Sequence, residues 1–214
     1  MKIVNELEKH KIIAILRGFT SEQAGRAVDA LYAGGIRFVE VTANTSGWKG
    51  MVQDWRSRYG SRMWIGAGTV LDLAMAKEAH EAGAQFLVTP NTDPDVINFA
   101  VSKGIPIIPG AMTPTEIVSA WRAGATAVKL FPMASLGLSY FKEIRAPLDR
   151  IRLIPTGGIN LDNMAGFLDA GAFGLGMGSS LVDQKTVTSG KYQDITASAQ
   201  AYTDLVKSHH QSIR

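Results

Sequence analysis

The sequence predicts an α/β protein of the (β/α)8 barrel class, opened by a short N-terminal helix and forming one domain across residues 1–214. Eight short apolar, β-rich runs alternate with stretches of helical periodicity, the pattern of parallel strands covered by helices. Four segments, YAGGIRFVE, EAGAQFLVT, RAGATAVKL and DAGAFGLGM, share the form x-Ala-Gly-small where a helix gives way to a strand. There a glycine can take the left-handed C-cap position and the small residue can lie close to the sheet. At 214 residues and 46% hydrophobic, the chain is long enough for one well-buried domain and short for two.

Val4 to His10 reads as an amphipathic helix leading into the first strand, Ile12 to Leu16. Thr20 and Gln23 have capping-box spacing, and the helix they open places Ala24, Ala27, Val28 and Leu31 on one side before Gly34-Gly35 stops it. Ile36 to Val41 is the second strand and Thr42 to Ser46 its exit loop. Trp48, Met51, Val52, Trp55 and Tyr59 recur at helical spacing up to Gly60. Met63 to Val70 is the third strand, followed by a helix from about Asp72 to Ala82, and Gln85 to Pro90 is the fourth. Asp93-Pro94 opens the next helix, which ends near Gly104. Ile105 to Ala111 is the fifth strand, and Thr113-Pro114-Thr115-Glu116 combines a capping box with proline at the first helical position. Ala127 to Met133 contains the sixth strand, with a helix from about Ser139 to Ala146 after it. Ile151 to Gly158 is the seventh, Asn160 caps a helix over Leu161 to Ala170, and Phe173 to Val182 holds the eighth. Tyr192 to Ser208 is a helix that completes the outer ring.

The formal charge of +3, from 22 basic and 19 acidic residues, comes without a dense basic block, so no nucleic-acid or lipid surface is expected. With no cysteine, disulfides, thiolate catalysis and thiolate metal sites are excluded. The N-terminus lacks the apolar core and cleavage signal of a secretory leader, and no run reaches about 18 apolar residues, so a soluble, cytoplasmic protein is expected. No metal site is expected, because His10, His80, His209 and His210 all fall away from the predicted strand ends, which leaves only an oxygen-ligand site as the alternative.

Chemistry concentrates in the sixth strand, where Lys129 sits within AVKLFPM. Lysine is rarely buried without a partner or a task. Strand alternation groups Ala127, Lys129 and Phe131 on one face and Ile36, Phe38 and Glu40 on one face of the second strand. With polar residues inward, Lys129 and Glu40 share the upper layer of the barrel; the same parity places Arg17 with Ile15, Thr69 with Ala67 and Thr156 with Ile154. A desolvated lysine has a lowered pKa and can attack a carbonyl, while a neighbouring carboxylate favours the charged lysine and can take a proton near the resulting iminium. Together these roles describe a Schiff-base aldolase. The alternative is a buried Lys–Glu ion pair that only fixes strand register. The glycine-rich stretches PTGGIN and GMGSS, at the ends of strands seven and eight, suit a phosphate held by backbone N–H groups, with Ser179, Ser180 and Thr156 as hydroxyl donors, or else are tight turns. Arg17 can grip a carboxylate or phosphate or make a surface ion pair; Thr69 can donate to a carboxylate or satisfy local backbone; Phe131 supplies an apolar wall beside the lysine.

VEVTANT (39–45), GAGTV (66–70), PGAMTPTE (109–116), VKLFPM (128–133) and PTGGIN (155–160) resemble, in order, the motifs of the class I 2-keto-3-deoxy-6-phosphogluconate (KDPG) aldolase family, which includes phosphogalactonate and 4-hydroxy-2-oxoglutarate aldolases. The resemblance runs from about Ile12 to Leu181. It implies a (β/α)8 barrel, a homotrimer, no cofactor, a Schiff base on Lys129, and Glu40 as general base and acid. It also implies substrate contacts from Arg17, Asn44, Thr69, Pro90, Phe131 and Thr156, and phosphate contacts from Gly157, Gly158, Gly178 and Ser179. Gluconate-type members commonly carry arginine where this chain has Asn44, so its carboxylate-binding role passes to Thr69 and backbone donors. Pro132-Met133-Ala134, Gly137-Leu138 and Met177-Gly178-Ser179-Ser180 also depart from the family pattern. These departures leave the pyruvate chemistry in place and bear on the aldehyde and its phosphate. The expected reaction is cleavage of a 2-keto-3-deoxy-6-phospho sugar acid to pyruvate and glyceraldehyde 3-phosphate. The alternatives are a 4-hydroxy-2-oxoglutarate aldolase and a non-catalytic sugar-phosphate-binding barrel.

Overall fold

The structure, a computed structural model, describes residues 2–212. Helix α1 (Lys2–His10) precedes β1 (Ile12–Leu16), α2 (Ser21–Ala33), β2 (Phe38–Thr42), α3 (Trp48–Tyr59), β3 (Trp64–Gly68), α4 (Leu73–Glu81), β4 (Phe86–Val88) and α5 (Pro94–Ser102). Then come β5 (Ile107–Ile108), β6 (Gly110–Ala111), α6 (Pro114–Arg122), β7 (Val128–Leu130), α7 (Met133–Arg145), β8 (Leu153–Pro155), α8 (Met164–Asp169), β9 (Leu175–Met177), α9 (Gln184–Thr188) and α10 (Tyr192–Ser212). No helix among the described residues is long and apolar enough to cross a membrane.

Every strand pairing is parallel, and the described strands form two sheets, in the orders β5-β4-β3-β2-β1-β9 and β6-β7-β8. The expected fifth strand is therefore two pieces. Pro109 lies between them, and a residue without an N–H cannot continue the ladder in both directions; its carbonyl still accepts from the Lys129 N–H at 2.8 Å. On the other side the sheets meet through the Thr156–Gly176 bridge and the Phe173 N–H to Leu153 carbonyl bond of 2.9 Å.

The apolar side chains divide into two layers. Ile13, Phe38, Phe86, Val88, Ile108, Ala127 and Ile154 pack together on the inner face of the strands, with Ile3, Val4 and Leu7 of α1 packed against them. The larger layer lies between strands and helices and holds the predicted stripe of α3, Trp48, Met51, Val52, Trp55 and Tyr59. Both capping boxes form: Thr20 with Gln23 opens α2, and Thr113 with Glu116 opens α6.

Three expected boundaries move for local reasons, and one helix is added. The third strand stops at Gly68, because Thr69 turns left-handed (φ 57°). Helix α7 starts at Met133, well before Ser139, with Gly137 (φ 72°, ψ 177°) breaking its regular geometry. Asn160 caps a turn, accepting from the Asp162 and Asn163 N–H groups, and α8 proper begins only at Met164. Helix α9, opened by Asp183, falls in a stretch for which the sequence predicts no element. In the Ala-Gly repeat, Gly83, Gly124 and Gly171 take the left-handed position (φ 85°, 101° and 86°), whereas in the first copy that role falls to Gly35 (φ 94°). Gly34 meets another demand: a Cβ there would lie 2.4 Å from the Ala199 Cβ and 2.7 Å from the Thr196 carbonyl oxygen of α10. The two helices are tied at the same point, the Thr196 and Thr203 hydroxyls donating to the Ala30 and Gly34 carbonyls at 3.1 and 3.0 Å.

Gly34→Ala is therefore expected to lower stability by about 1–3 kcal/mol through overpacking. Urea unfolding checks this, and an unchanged midpoint would refute the close α2–α10 approach.

Candidate active site

Lys129 lies at the centre of β7, paired with Gly110 of β6 and Ile154 of β8, and Glu40 lies at the centre of β2, paired with Ile15 and Gly66. Alternation turns both toward the inner layer: Ala127 and Phe38, two residues before each, belong to the inner cluster, while Val128 and Val39 face the helices. Lys129 is 6% exposed and Glu40 2%. Gly68 makes room for the carboxylate, since a Cβ there would stand 2.4 Å from Glu40 Oε1.

Burial is the largest influence on both charges. It pushes Glu40 up to about 7 against the opposing attraction of Lys129 and Arg17. It pulls the Lys129 pKa down, and Arg17 adds repulsion while Glu40 pulls the other way. Both side chains line a narrow apolar chamber with Ile13, Ile108 and Ile154. Lys129 also forms part of a wider cavity of about 410 Å³.

Around that wider cavity the structure gathers Arg17, Thr69, Pro90, Phe131, Thr156, Gly157, Gly158, Gly178 and Ser179 with the lysine. The Phe131 ring centroid is 5.0 Å from Lys129 Nζ, and the ring stands at the rim, 39% exposed. Arg17 Nη2 donates to Thr69 Oγ1 at 3.3 Å. Thr69 does not reach the cavity by the expected parity. Ala67, its supposed companion, packs in the outer layer, and it is the left-handed turn at Thr69 that breaks the alternation. Asn44 is not brought to the cavity. It occupies an exposed turn beyond the end of β2 and lines a separate shallow depression of residues 43–50, because strand alternation no longer governs side chains in that turn.

Gly157 and Gly158 are both left-handed (φ 94° and 72°). Among the described residues, the backbone N–H groups of Gly158, Gly178, Ser179 and Ser180 donate to no protein acceptor, and all four residues line the cavity. Unpaired N–H groups converging beside an arginine favour an anion. Sequence reasoning missed Ile15 as a lining residue, and it did not single out Ile159 and Gly176 within PTGGIN and GMGSS. A signal for Gly176 was present: Gly174, Gly176 and Gly178 recur at period two, so one face of that strand carries no side chains, and a Cβ on Gly176 would sit 2.3 Å from Thr156 Oγ1.

A lysine held toward its neutral form beside a carboxyl that titrates near neutrality can form an imine with a ketone and move protons at the atoms next to it. That equipment belongs to lyases that make and break carbon–carbon bonds through an enamine. A family model for KDPG and KHG aldolases matches residues 3–198, and the chain belongs to that family. It is 36% identical over 200 residues to the 2-dehydro-3-deoxy-6-phosphogalactonate aldolase of Escherichia coli K12, covering 93% of this chain and 98% of the relative. The solved structure of native KDPGal superposes with a TM-score of 0.86 at 35% identity, over 94% of this chain and 96% of that one. A Legionella pneumophila KDPG aldolase, solved with pyruvate captured as a covalent carbinolamine intermediate, superposes with a TM-score of 0.86 at 26% identity, over 92% of this chain and 96% of that one.

The Glu40 pKa carries a sign for stability. Its folded value, about 7, lies above the ordinary 4.5, so its contribution is fully present below pH 4.5 and is lost as pH rises through about 7. Glu40→Gln removes that loss, and the stability of the variant relative to the parent should rise between pH 5 and pH 8 in urea unfolding. A constant difference across that range would contradict the buried, shifted carboxyl.

Proposed function

We propose that this chain is a class I aldolase that cleaves a 2-keto-3-deoxy-6-phospho sugar acid, of the galactonate or gluconate type, to pyruvate and glyceraldehyde 3-phosphate. The observation that carries the reading is Lys129, nearly buried at the cavity with Glu40 inward on the neighbouring chamber wall. Lys129 Nζ adds to the C2 ketone, and loss of water from the carbinolamine leaves a protonated imine. Glu40, directly or through a water, takes the C4 hydroxyl proton as the C3–C4 bond breaks; the bonding electrons flow to the imine nitrogen, giving an enamine and the aldehyde. Protonation of the enamine at C3 and hydrolysis release pyruvate and free the lysine. These steps use only side chains of this chain and water.

Thr69 and Thr156 serve the pyruvyl end in this reading, with Pro90 and Phe131 as walls. The N–H groups of Gly158, Gly178 and Ser179, with Gly157 and Arg17, hold the distal phosphate. The two parallel sheets act as one closed (β/α)8 barrel forming a single domain; the junctions at Pro109 and at Thr156–Gly176 support that closure. We place the enzyme in the cytoplasm as a homotrimer, for which the exposed Leu71, Met112 and Leu161, on loops after β3, β6 and β8, offer apolar surface.

Incubation with pyruvate and borohydride, followed by digestion and mass spectrometry, is expected to find the reduced adduct on the peptide carrying Lys129. An active preparation without it would overturn the mechanism. Glu40→Gln should keep the adduct while kcat falls by about 10²–10⁴-fold, the usual worth of a general acid–base group. Turnover equal to the parent would remove Glu40 from proton transfer. Pyruvate release from galactonate-, gluconate- and oxoglutarate-type substrates, ranked by kcat/KM, assigns the substrate.

A further inference from the structure

The segment after β2 contains a buried contact that the proposed chemistry does not use. Thr42 follows Glu40 by two residues on the same face of β2 and is fully buried. Its Oγ1 lies 2.9 Å from the Oγ1 of Thr45, which is itself buried in the turn beyond the strand. Thr45 Oγ1 then accepts the Gly18 N–H at 3.0 Å, across to the exit of β1. Gly18 is left-handed (φ 73°), and Arg17 immediately precedes it.

We propose that Thr45 is a positioning residue for Arg17: through the Gly18 N–H it fixes the exit loop of β1 so that the guanidinium is aimed into the cavity before an anionic substrate arrives. Arg17 is exposed and long, so its side chain loses rotamer freedom when it binds, and part of that loss is avoided if it is held in advance. The guanidinium is steadied at one end by Thr69 Oγ1 at 3.3 Å, and its backbone at the other by the Thr45–Thr42 pair. A hydroxyl is required at position 45. A valine of the same shape would leave the Gly18 N–H without its acceptor and the Thr42 hydroxyl without its partner. The inference rests on the aldolase reading, in which Arg17 meets the substrate's distal phosphate while pyruvate alone does not reach it.

The test is a comparison of Thr45→Val, Thr45→Ser and the parent for pyruvate trapping by borohydride and for kcat and KM with the phosphorylated sugar acid. Thr45→Val is expected to raise KM on the order of tenfold with kcat and trapping little changed, the signature of lost binding away from the reacting atoms. Thr45→Ser should restore the parental KM. In an Arg17→Ala background Thr45→Val should add no further change in KM, because the residue acts through that arginine. Gly18→Ala offers a second route: its added Cβ meets nothing within 4 Å, so it strains the left-handed backbone without a clash and should raise KM in the same way, even where Thr45→Val does not fold. An unchanged KM in folded Thr45→Val, no rescue by serine, or an undiminished effect in the Arg17→Ala background would each overturn the role of Thr45. Absence of trapping in the parent would instead overturn the aldolase reading itself.

Discussion

The structure turns on placing one amine and one carboxyl among apolar side chains at the middle of parallel strands. Burying either charge is unfavourable, and the two respond in opposite directions: the lysine is drawn toward its neutral amine and the carboxyl toward its acid form, with their mutual attraction opposing both shifts. An amine held toward its uncharged form is a nucleophile, and a carboxyl titrating near pH 7 can both take and give a proton. Burial is therefore the largest of the influences that convert two ordinary side chains into a reactive pair.

Keeping the pair buried yet reachable explains where this chain omits side chains. Gly68 clears the space that the Glu40 carboxylate occupies, and Gly176 clears the space beside Thr156. The loops after β8 and β9 go further, leaving N–H groups with no protein partner around the cavity mouth. On the opposite side, α1 packs Ile3, Val4 and Leu7 against the inner cluster, so the apolar environment of the lysine is closed at one end and open at the other. An apolar floor and a polar rim suit a substrate that reacts at one end and is held by an anionic group at the other.

Residues whose placement follows from a regular period were legible in the sequence. Strand alternation put Lys129 and Glu40 on inward faces, helical spacing found the Trp48-to-Tyr59 stripe, and both threonine capping boxes form. Where a period breaks, alternation no longer says where a side chain points. Thr69 reaches the cavity through one left-handed residue that alternation cannot foresee, and Asn44 leaves it because it sits in a turn where Thr45, not Asn44, points inward. Pro109 splits a run whose composition is otherwise that of one strand. Gly34 does cap α2, but its small size is also required by α10, packed against it from far along the chain; a long-range contact of that kind leaves no local mark.

The pH dependence of pyruvate adduct formation tests the central claim most directly. If burial lowers the Lys129 pKa, the rate of adduct formation reaches half its maximum below the ordinary lysine value of 10.5. A half-maximum at or above 10.5 would show an amine that behaves as though solvated, and would contradict the account.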